Sequence, residues 1–257
     1  MSTPLPMRVV EHQIQVFKQF WRGAAIFYIA TPALFLLALG VGLGGLIDKR
    51  ANTVDGVRYL AFVAPGLMAA SAMQGATAES LWPIMAGTKW LRTFHAMVAT
   101  PLRASDVYLG IVAWTGVRVA AGAALFLGVA AALGAVPSPW GVLAVPAAAM
   151  TAVAFAAPMA AFAATQETDL RFPVVMRIGV LPLFLFSGAF FPITQLPRWL
   201  RPVAEVSPLY HGVELCRAAT TGRLQLGPAA GHVLVLLACI ALGVLWGRHS
   251  FTRKLTR

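Results

Sequence analysis

Charge is scarce in this chain, and acid is scarcer than base. Charged residues make up 11% of its 257 residues, with 20 Lys and Arg against 9 Asp and Glu, where an average soluble domain carries roughly 25%. A water-soluble fold of this size has too little polar surface to cover a composition that is 59% hydrophobic. Cysteine is nearly absent too. Cys216 and Cys239 lie in or near apolar stretches, with neither metal-ligand spacing nor the density of a disulfide scaffold, and read as small buried residues. No G-x-x-x-x-G-K-[ST] loop occurs, so no backbone cradle for nucleotide phosphates is expected. The acids are dispersed, and no Ser with a His on a facing segment stands out, which argues against an intramembrane hydrolase or lipid-modifying transferase. His12, His95, His211, His232 and His249 are scattered without metal spacing.

What the sequence has in abundance is long apolar runs, several exceeding the roughly 18 residues that mark a bilayer-spanning candidate. The expected architecture is an all-α integral membrane protein with six transmembrane helices, at about 24–46, 59–81, 107–135, 141–164, 173–191 and 229–247. Before the first, residues 1–23 form an amphipathic interfacial helix, with Val10, Ile14, Phe17 and Trp21 on one stripe and Glu11, Gln15, Lys18 and Arg22 beside it. The first apolar run is too long for a signal-peptide core and is read as a retained span. Pro146 and Pro158 imply kinks in the fourth span. Residues 192–228 alternate Pro and Gly with apolar pieces too short to cross. There Ser207-Pro208 predicts a helix start and Gly222 a stop, giving two short helices at the membrane edge.

The basic residues flank the spans, so the net charge of +11 points to anionic lipid headgroups and a topology signal rather than nucleic acid. With the amino terminus inside, eleven Lys and Arg flank the inner side and seven the outer, among them Lys49, Arg50, Arg58, Arg198, Arg201, Arg217 and Arg223. Both termini are therefore expected in the cytoplasm.

The segments "FVAPGLM" at 62–68, "RTFHAMVATPLRASDVYLG" at 92–110, "FSGAFFPITQLPRWL" at 186–200 and "SPLYHGVELCR" at 207–217, in this order of elements, resemble the permease subunit of an ABC type-2 exporter. Within that family it resembles permeases similar to those of nodulation lipo-oligosaccharide export and daunorubicin resistance. This resemblance implies a bacterial cytoplasmic-membrane exporter of a hydrophobic or amphiphilic substrate such as a drug, a lipid or a lipid-linked glycan. It also implies no catalysis by this chain, ATP and Mg on separate nucleotide-binding ATPase subunits, and a second permease copy or related chain. The amphipathic start becomes an elbow helix, and residues 192–222 become extracellular re-entrant helices. Residues 82–100 become a cytoplasmic coupling helix, with Trp90, Leu91, Phe94, Met97 and Val98 packed inward. Lys89, Trp90, Arg92, Thr93 and His95 form its ATPase-contact set. A secondary transporter or channel without an ATPase is the rival reading.

Five further features have two readings each. Arg118, roughly 16 Å into the third span by helical rise, either meets an anionic substrate headgroup or links to backbone carbonyls or a neighbouring helix. Glu79 and Arg177, both near inner span ends, form a structural ion pair or a gate. Glu167, Asp169 and Arg171 contact the ATPase or form a solvated turn. Phe184, Phe186, Phe190 and Phe191 line an apolar exit path or pack against lipid. The coupling stripe itself docks the ATPase or is an ordinary interfacial helix.

Overall fold

With lipid as solvent, every backbone polar group must be satisfied within the chain, and long apolar helices do this segment by segment. The computed structural model describes residues 4–19, 21–45 and 53–256, and these form a helical bundle. α1 (Leu5–Phe17) is followed after a short turn by α2 (Trp21–Phe35), which runs on in π-helical form through Leu36–Leu43. α3 (Tyr59–Met85) carries Pro65 and Pro83 in its interior and continues through a π-helical turn, Ala86–Trp90. α4 is the short helix Thr93–Val98, and α5 the long one Ala104–Ala132. A 3-10 turn, Pro139–Leu143, leads into α6 (Ala144–Thr165). α7 covers residues 172–186, with π-helical bonding at Val175–Val180. Two short helices, α8 (Arg201–Val206) and α9 (Pro208–Thr221), precede α10 (Leu226–Leu255).

Four of these helices, at Tyr59–Trp90, Ala104–Ala132, Pro139–Thr165 and Leu226–Leu255, are long and apolar enough to cross a membrane. α2 with its π-helical extension and α7 are the remaining apolar helices, and α7 stops at Phe186, five residues short of the expected 191. Lys49, Arg50 and the last residue of the expected first span lie outside the described residues. The basic tail is not a free tail: α10 runs eight residues beyond the expected stop at Gly247, because Ser250, Phe251 and Leu255 are buried against the bundle. Pro146 sits in the first turn of α6, where a missing N–H is harmless, so only Pro158 interrupts that helix.

α6 is the hub, packed against α3, α5, α9 and α10. Its buried face is mostly alanine, including Ala148, Ala152, Ala156, Ala157, Ala160 and Ala161, so neighbouring backbones approach closely. On α10 the spacing Gly243-x-x-x-Gly247 completes the seam, as small residues one turn apart do between helices in membranes. A Cβ on Gly243 would meet Ala157 and Pro158 at 2.7–2.8 Å, and one on Gly247 would meet the Tyr108 ring at 2.0 Å. Tyr108 fills the space that Gly247 leaves. Its hydroxyl is 2.9 Å from the Gly243 carbonyl and 3.1 Å from the Ala157 carbonyl, so one phenol from α5 fastens α6 to α10.

Enlarging Gly247 therefore forces α5 and α10 apart. Gly247→Val is expected to destabilise the detergent-purified chain by about 1–3 kcal/mol, and Tyr108→Phe by about 1 kcal/mol through the lost hydrogen bond. Both are read as shifts in thermal unfolding midpoint, and an unchanged midpoint for Gly247→Val would contradict the close packing.

Candidate functional site

The bundle has two chemically distinct ends. One, here called the near end, gathers α4, the turn between α6 and α7, the start of α5 and the last turns of α10. The other, the far end, gathers residues 187–200, α8, α9 and the turns that join the remaining helices there.

At the near end, the helix that begins as α3 does not stop at Leu81. It continues to Trp90, turns sharply where Arg92 adopts the left-handed conformation (φ 52°), and restarts as α4. That backbone state costs a non-glycine residue about 1–2 kcal/mol, so the turn is held by its surroundings. The anchor is Phe94. Its ring lies on Gly87, where a Cβ would come within 2.3 Å, and 6.2 Å from the ring of Phe251, which in turn lies 5.0 Å from Tyr108. The expected coupling helix over 82–100 is thus two pieces, of which only Thr93–Val98 is separate. Of the stripe expected to pack inward, Phe94 is buried and Met97 and Val98 are half-buried, but Trp90 is 59% and Leu91 71% exposed. Burial of the stripe ends at the turn because Phe94 alone reaches the Gly87 seat. Arg92, Thr93 and His95 are exposed beside the two apolar side chains.

Lys89 points elsewhere. It forms an ion pair with Glu167, whose other carboxylate oxygen is 2.7 Å from Lys254 Nζ. Glu167 thereby ties the end of α3 to the last turn of α10 across the α6–α7 turn. Hydrogen bonds from Lys254 and Lys89 to its carboxylate hold its pKa well below the ordinary 4.5, at about 2. Asp169 and Arg171 lie in the adjacent 3-10 turn, and Arg171 donates to Gln166 at 3.3 Å.

Arg118 lies 14 residues into α5, about 21 Å along the helix, and its partner is Glu79 on α3, not a backbone carbonyl. Glu79 does not pair with Arg177. Because α3 extends to Trp90, Glu79 sits about three turns inside that end, level with Arg118, whereas Arg177 is exposed five residues into α7. The Arg118 guanidinium also lies 5.9 Å from the Phe17 ring, which packs edge-on to Trp114 at 5.7 Å. These side chains, with Gln13, Gln19 and Arg22, line a groove of about 550 Å³ between α1, the start of α2 and α5. α1 reaches this depth by packing along α5, with Val9 buried against Gly110.

At the far end the structure brings together three segments that are distant in sequence. The turn at Ser187–Ala189 is buried, and its Ala189 carbonyl lies where a Cβ on Gly66 would be, at 2.4 Å. Arg217 on α9 is 9% exposed. Its Nη2 donates to the Gly188 carbonyl at 2.7 Å, Nη1 pairs with Glu214 at 2.6 Å, and the guanidinium stacks 4.0 Å from the Phe62 ring. Arg217 is therefore a buried clamp rather than an outer topology charge. Other far-end cations also cap carbonyls: Arg223 donates to Asp55 at 2.8 Å and Arg201 to Leu196 at 3.0 Å. Phe184 and Phe190 pack edge to face at 5.0 Å, Phe191 is half-buried and Phe186 is exposed. His211 and His232 are not scattered: their Nδ1 atoms are 2.7 Å apart.

Sequence reasoning missed Arg217 and the histidine pair. The signal for Arg217 was Glu214 three residues before it, a spacing that also fits a solvated surface pair. Among the described residues no group of three or more His, Cys, Asp or Glu could hold a metal ion.

A helical bundle with apolar spans, a polar end built on a strained turn and an opposite end closed by short helices is a polytopic membrane protein. The chain belongs to the ABC-2 type transporter family, whose profile matches residues 13–220. It is 34% identical over 241 residues to Nodulation protein J of Rhizobium leguminosarum bv. trifolii, covering 92% of this chain and 90% of that protein. It is also 34% identical over 230 residues to Nodulation protein J of Sinorhizobium fredii (strain NBRC 101917 / NGR234), covering 88% and 84%. Similarity extends to the inner membrane transport permease YadH of Escherichia coli (strain K12), at 25% identity over 205 residues, covering 77% of this chain and 76% of YadH.

Two outcomes follow from the paired charges. Neutralising either Glu79 or Arg118 alone strands its partner at membrane depth, so Glu79→Gln and Arg118→Gln are each expected to lower the unfolding midpoint, and the double variant to lose less than the sum of the two single losses. The expected coupling is about 1–3 kcal/mol, and strictly additive midpoints would remove the pair's structural role. For Glu167, the folded state binds its proton less tightly than the unfolded state. The tie's contribution is then complete above about pH 4.5 and is lost as pH falls towards about 2. A carboxyl-carbon NMR titration should place its midpoint near 2, and a midpoint near 4.5 would mean the two lysines do not hold it.

Proposed function

We propose that this chain is the transmembrane permease subunit of an ATP-driven ABC exporter that moves a hydrophobic or amphiphilic substrate (a drug, a lipid or a lipid-linked glycan) across the bacterial cytoplasmic membrane. The observation that carries this reading is the pair Trp90 and Leu91, 59% and 71% exposed, on a turn held rigid by Phe94. Large apolar side chains presented side by side beyond the end of a span suit a partner protein rather than water. Arg92, Thr93 and His95 give that surface a polar rim. The partner is a nucleotide-binding subunit supplying ATP and Mg, and a second permease copy or a related chain completes the path.

The near end is then the cytosolic one. In support, α1 begins beside Gly110 and α10 ends beside Phe94, so the two ends of the described chain lie on one side. Most of the flanking Lys and Arg gather there as well. YadH, a relative, is an inner membrane permease by name. Lys89 serves this surface indirectly, by fixing the turn to Glu167. The groove beside Arg118 and the far-end aromatics Phe184, Phe186, Phe190 and Phe191 are the candidate positions for substrate. An anionic headgroup would sit near Arg118 and Arg22, and apolar groups would pass the phenylalanines.

The test is co-expression with the cognate ATPase. Trp90→Ala with Leu91→Ala and Arg92→Glu should abolish co-purification of the two chains while leaving the permease folded by thermal unfolding. Wild-type levels of captured ATPase and of transport-coupled hydrolysis would defeat the docking assignment. Export that persists when the ATPase's phosphate-loop lysine is replaced would defeat the exporter reading itself.

A further inference from the structure

α9 and α10 meet at an unusual joint. The Nδ1 atoms of His211 and His232 are 2.7 Å apart, with the rings 5.0 Å between centroids. Tyr210 packs edge-on to both, at 5.4 Å and 5.9 Å. A separation of 2.7 Å is a hydrogen-bond length, shorter than the spacing of about 3.3 Å that two nitrogens would take around a tetrahedral zinc. One ring must donate and the other accept, so one proton lies between the two nitrogens.

We propose that this pair is a proton-counting latch that holds the far-end closure shut and lets it loosen when the far side is acidified. With both rings neutral, one N–H···N bond ties α9 to α10. A first added proton can reside on the outer nitrogen of the donor ring and leaves the bond in place, now charge-assisted. A second proton must go onto the accepting Nδ1, which sets two N–H groups of two cations against each other at a distance that cannot hold them. The rings then separate, and the contact between α9 and α10 opens with them.

The charged and titratable groups around the joint set how readily the second proton arrives. α9 itself brings Tyr210, Glu214 and Arg217, and the carboxylate of Glu214 is committed to Arg217. α8 brings Arg201 and Glu205, and the backbone of Glu205 is bonded to His211. α6 and the 3-10 turn before it carry no charged residue, α3 carries only Glu79 at the opposite end, and α10 has no charged residue between Leu226 and Gly247. Glu214 is thus committed and the exposed Glu205 meets His211 through its backbone, so among the described residues no carboxylate contact is dedicated to a doubly charged pair. The sign follows. Two opposed N–H groups cannot share a 2.7 Å gap, so the closed joint excludes the second proton that an open one accepts, and the latch holds at neutral pH and weakens as pH falls.

The closure is tied to α9 through Arg217 and Gly188, so opening the joint frees the element that holds the turn at Ser187–Ala189. That consequence for transport rests on the exporter reading, but the latch itself does not. Its test is therefore made on the permease in lipid nanodiscs, with no transport assay. Hydrogen exchange of residues 207–222, corrected for the intrinsic pH dependence of exchange, is compared at about pH 7.5 and about pH 5. The wild type should exchange about tenfold faster at the lower pH, the factor set by loss of one hydrogen bond of ordinary net strength. His211→Gln with His232→Gln keeps a neutral amide bond and should show no such change, and His232→Gln alone serves if the double variant does not fold. A pH-independent wild type, or an equal change in the glutamine variant, would overturn the proposal. So would protection at pH 7.5 that requires added zinc and is reversed by a chelator, because the pair would then be a metal site.

Discussion

Helices surrounded by lipid gain nothing by hiding apolar surface from water, so what holds this bundle together is how closely its backbones can approach. That approach is set along α6, where alanine after alanine faces α3, α5 and α10, and is completed by Gly243 and Gly247 on α10. The seam is tight enough that one phenol, Tyr108, both fills it and fastens it, giving its hydroxyl to carbonyls on two different helices. The same ring continues into the stack with Phe251 and Phe94, which seats the strained turn at Arg92. The near-end surface thus inherits its shape from a packing contact made inside the span. On the other side of α6, Thr151 lies where a Cβ on Gly212 would be, at 2.0 Å from its hydroxyl oxygen. α9 is therefore docked by the same small-residue logic.

Against this close-packed background the two inward arginines solve the problem of a buried guanidinium differently. Arg217 is enclosed by an aromatic face, a carboxylate one turn away and a loop carbonyl, so its charge organises a turn that has no helix to satisfy its backbone. Arg118 meets one carboxylate on a facing helix and otherwise borders a groove with glutamines and aromatics. The first arrangement closes a surface, and the second leaves polar groups facing open space. Burial of Nε without a hydrogen-bond partner is common to both, which means that neither site satisfies its arginine fully from within.

Much of the architecture was legible in the sequence because it depends on local signals. The apolar runs gave the starts of the long helices to within three residues, and Ser207 and Gly222 bound α9 as their chemistry requires: the serine hydroxyl accepts from Leu209 N–H at 3.2 Å, and the glycine takes φ 74°. Pro83 misled. A proline normally ends a helix nearby, but the π-helical turn at Ala86–Trp90 carries the helix on, and that extension is why Glu79 meets Arg118 and not Arg177. The histidine pair, the Arg217 clamp and the Glu167 tie were out of reach for a different reason. Each joins residues whose proximity exists only once the helices are packed, and no spacing within a helix reports a partner on another. The exposure of Trp90 and Leu91 belongs to the same class, since helical periodicity assigns them to the stripe of Phe94 and only the break at Arg92 separates them from it.

One element connects these features mechanically. α10 is a single helix of 30 residues, about 45 Å long, with His232 near one end and Lys254 near the other, and its only proline lies in the first turn. α3 is interrupted by Pro65, Pro83 and a π-helical turn, α6 by Pro158, and α7 by π-helical bonding over six residues. Helices with such interruptions bend where the ladder is broken, whereas a continuous one transmits displacement along its axis. Lys254 shares Glu167 with Lys89, so two ion pairs join the near-end turn to the foot of α10. From Lys254 to its joint with α9 at His232 the helix contains no proline and no π-helical turn. An unbroken helix thus stands among interrupted ones, and the small-residue seam at Gly243 and Gly247 keeps it engaged with the hub over its middle.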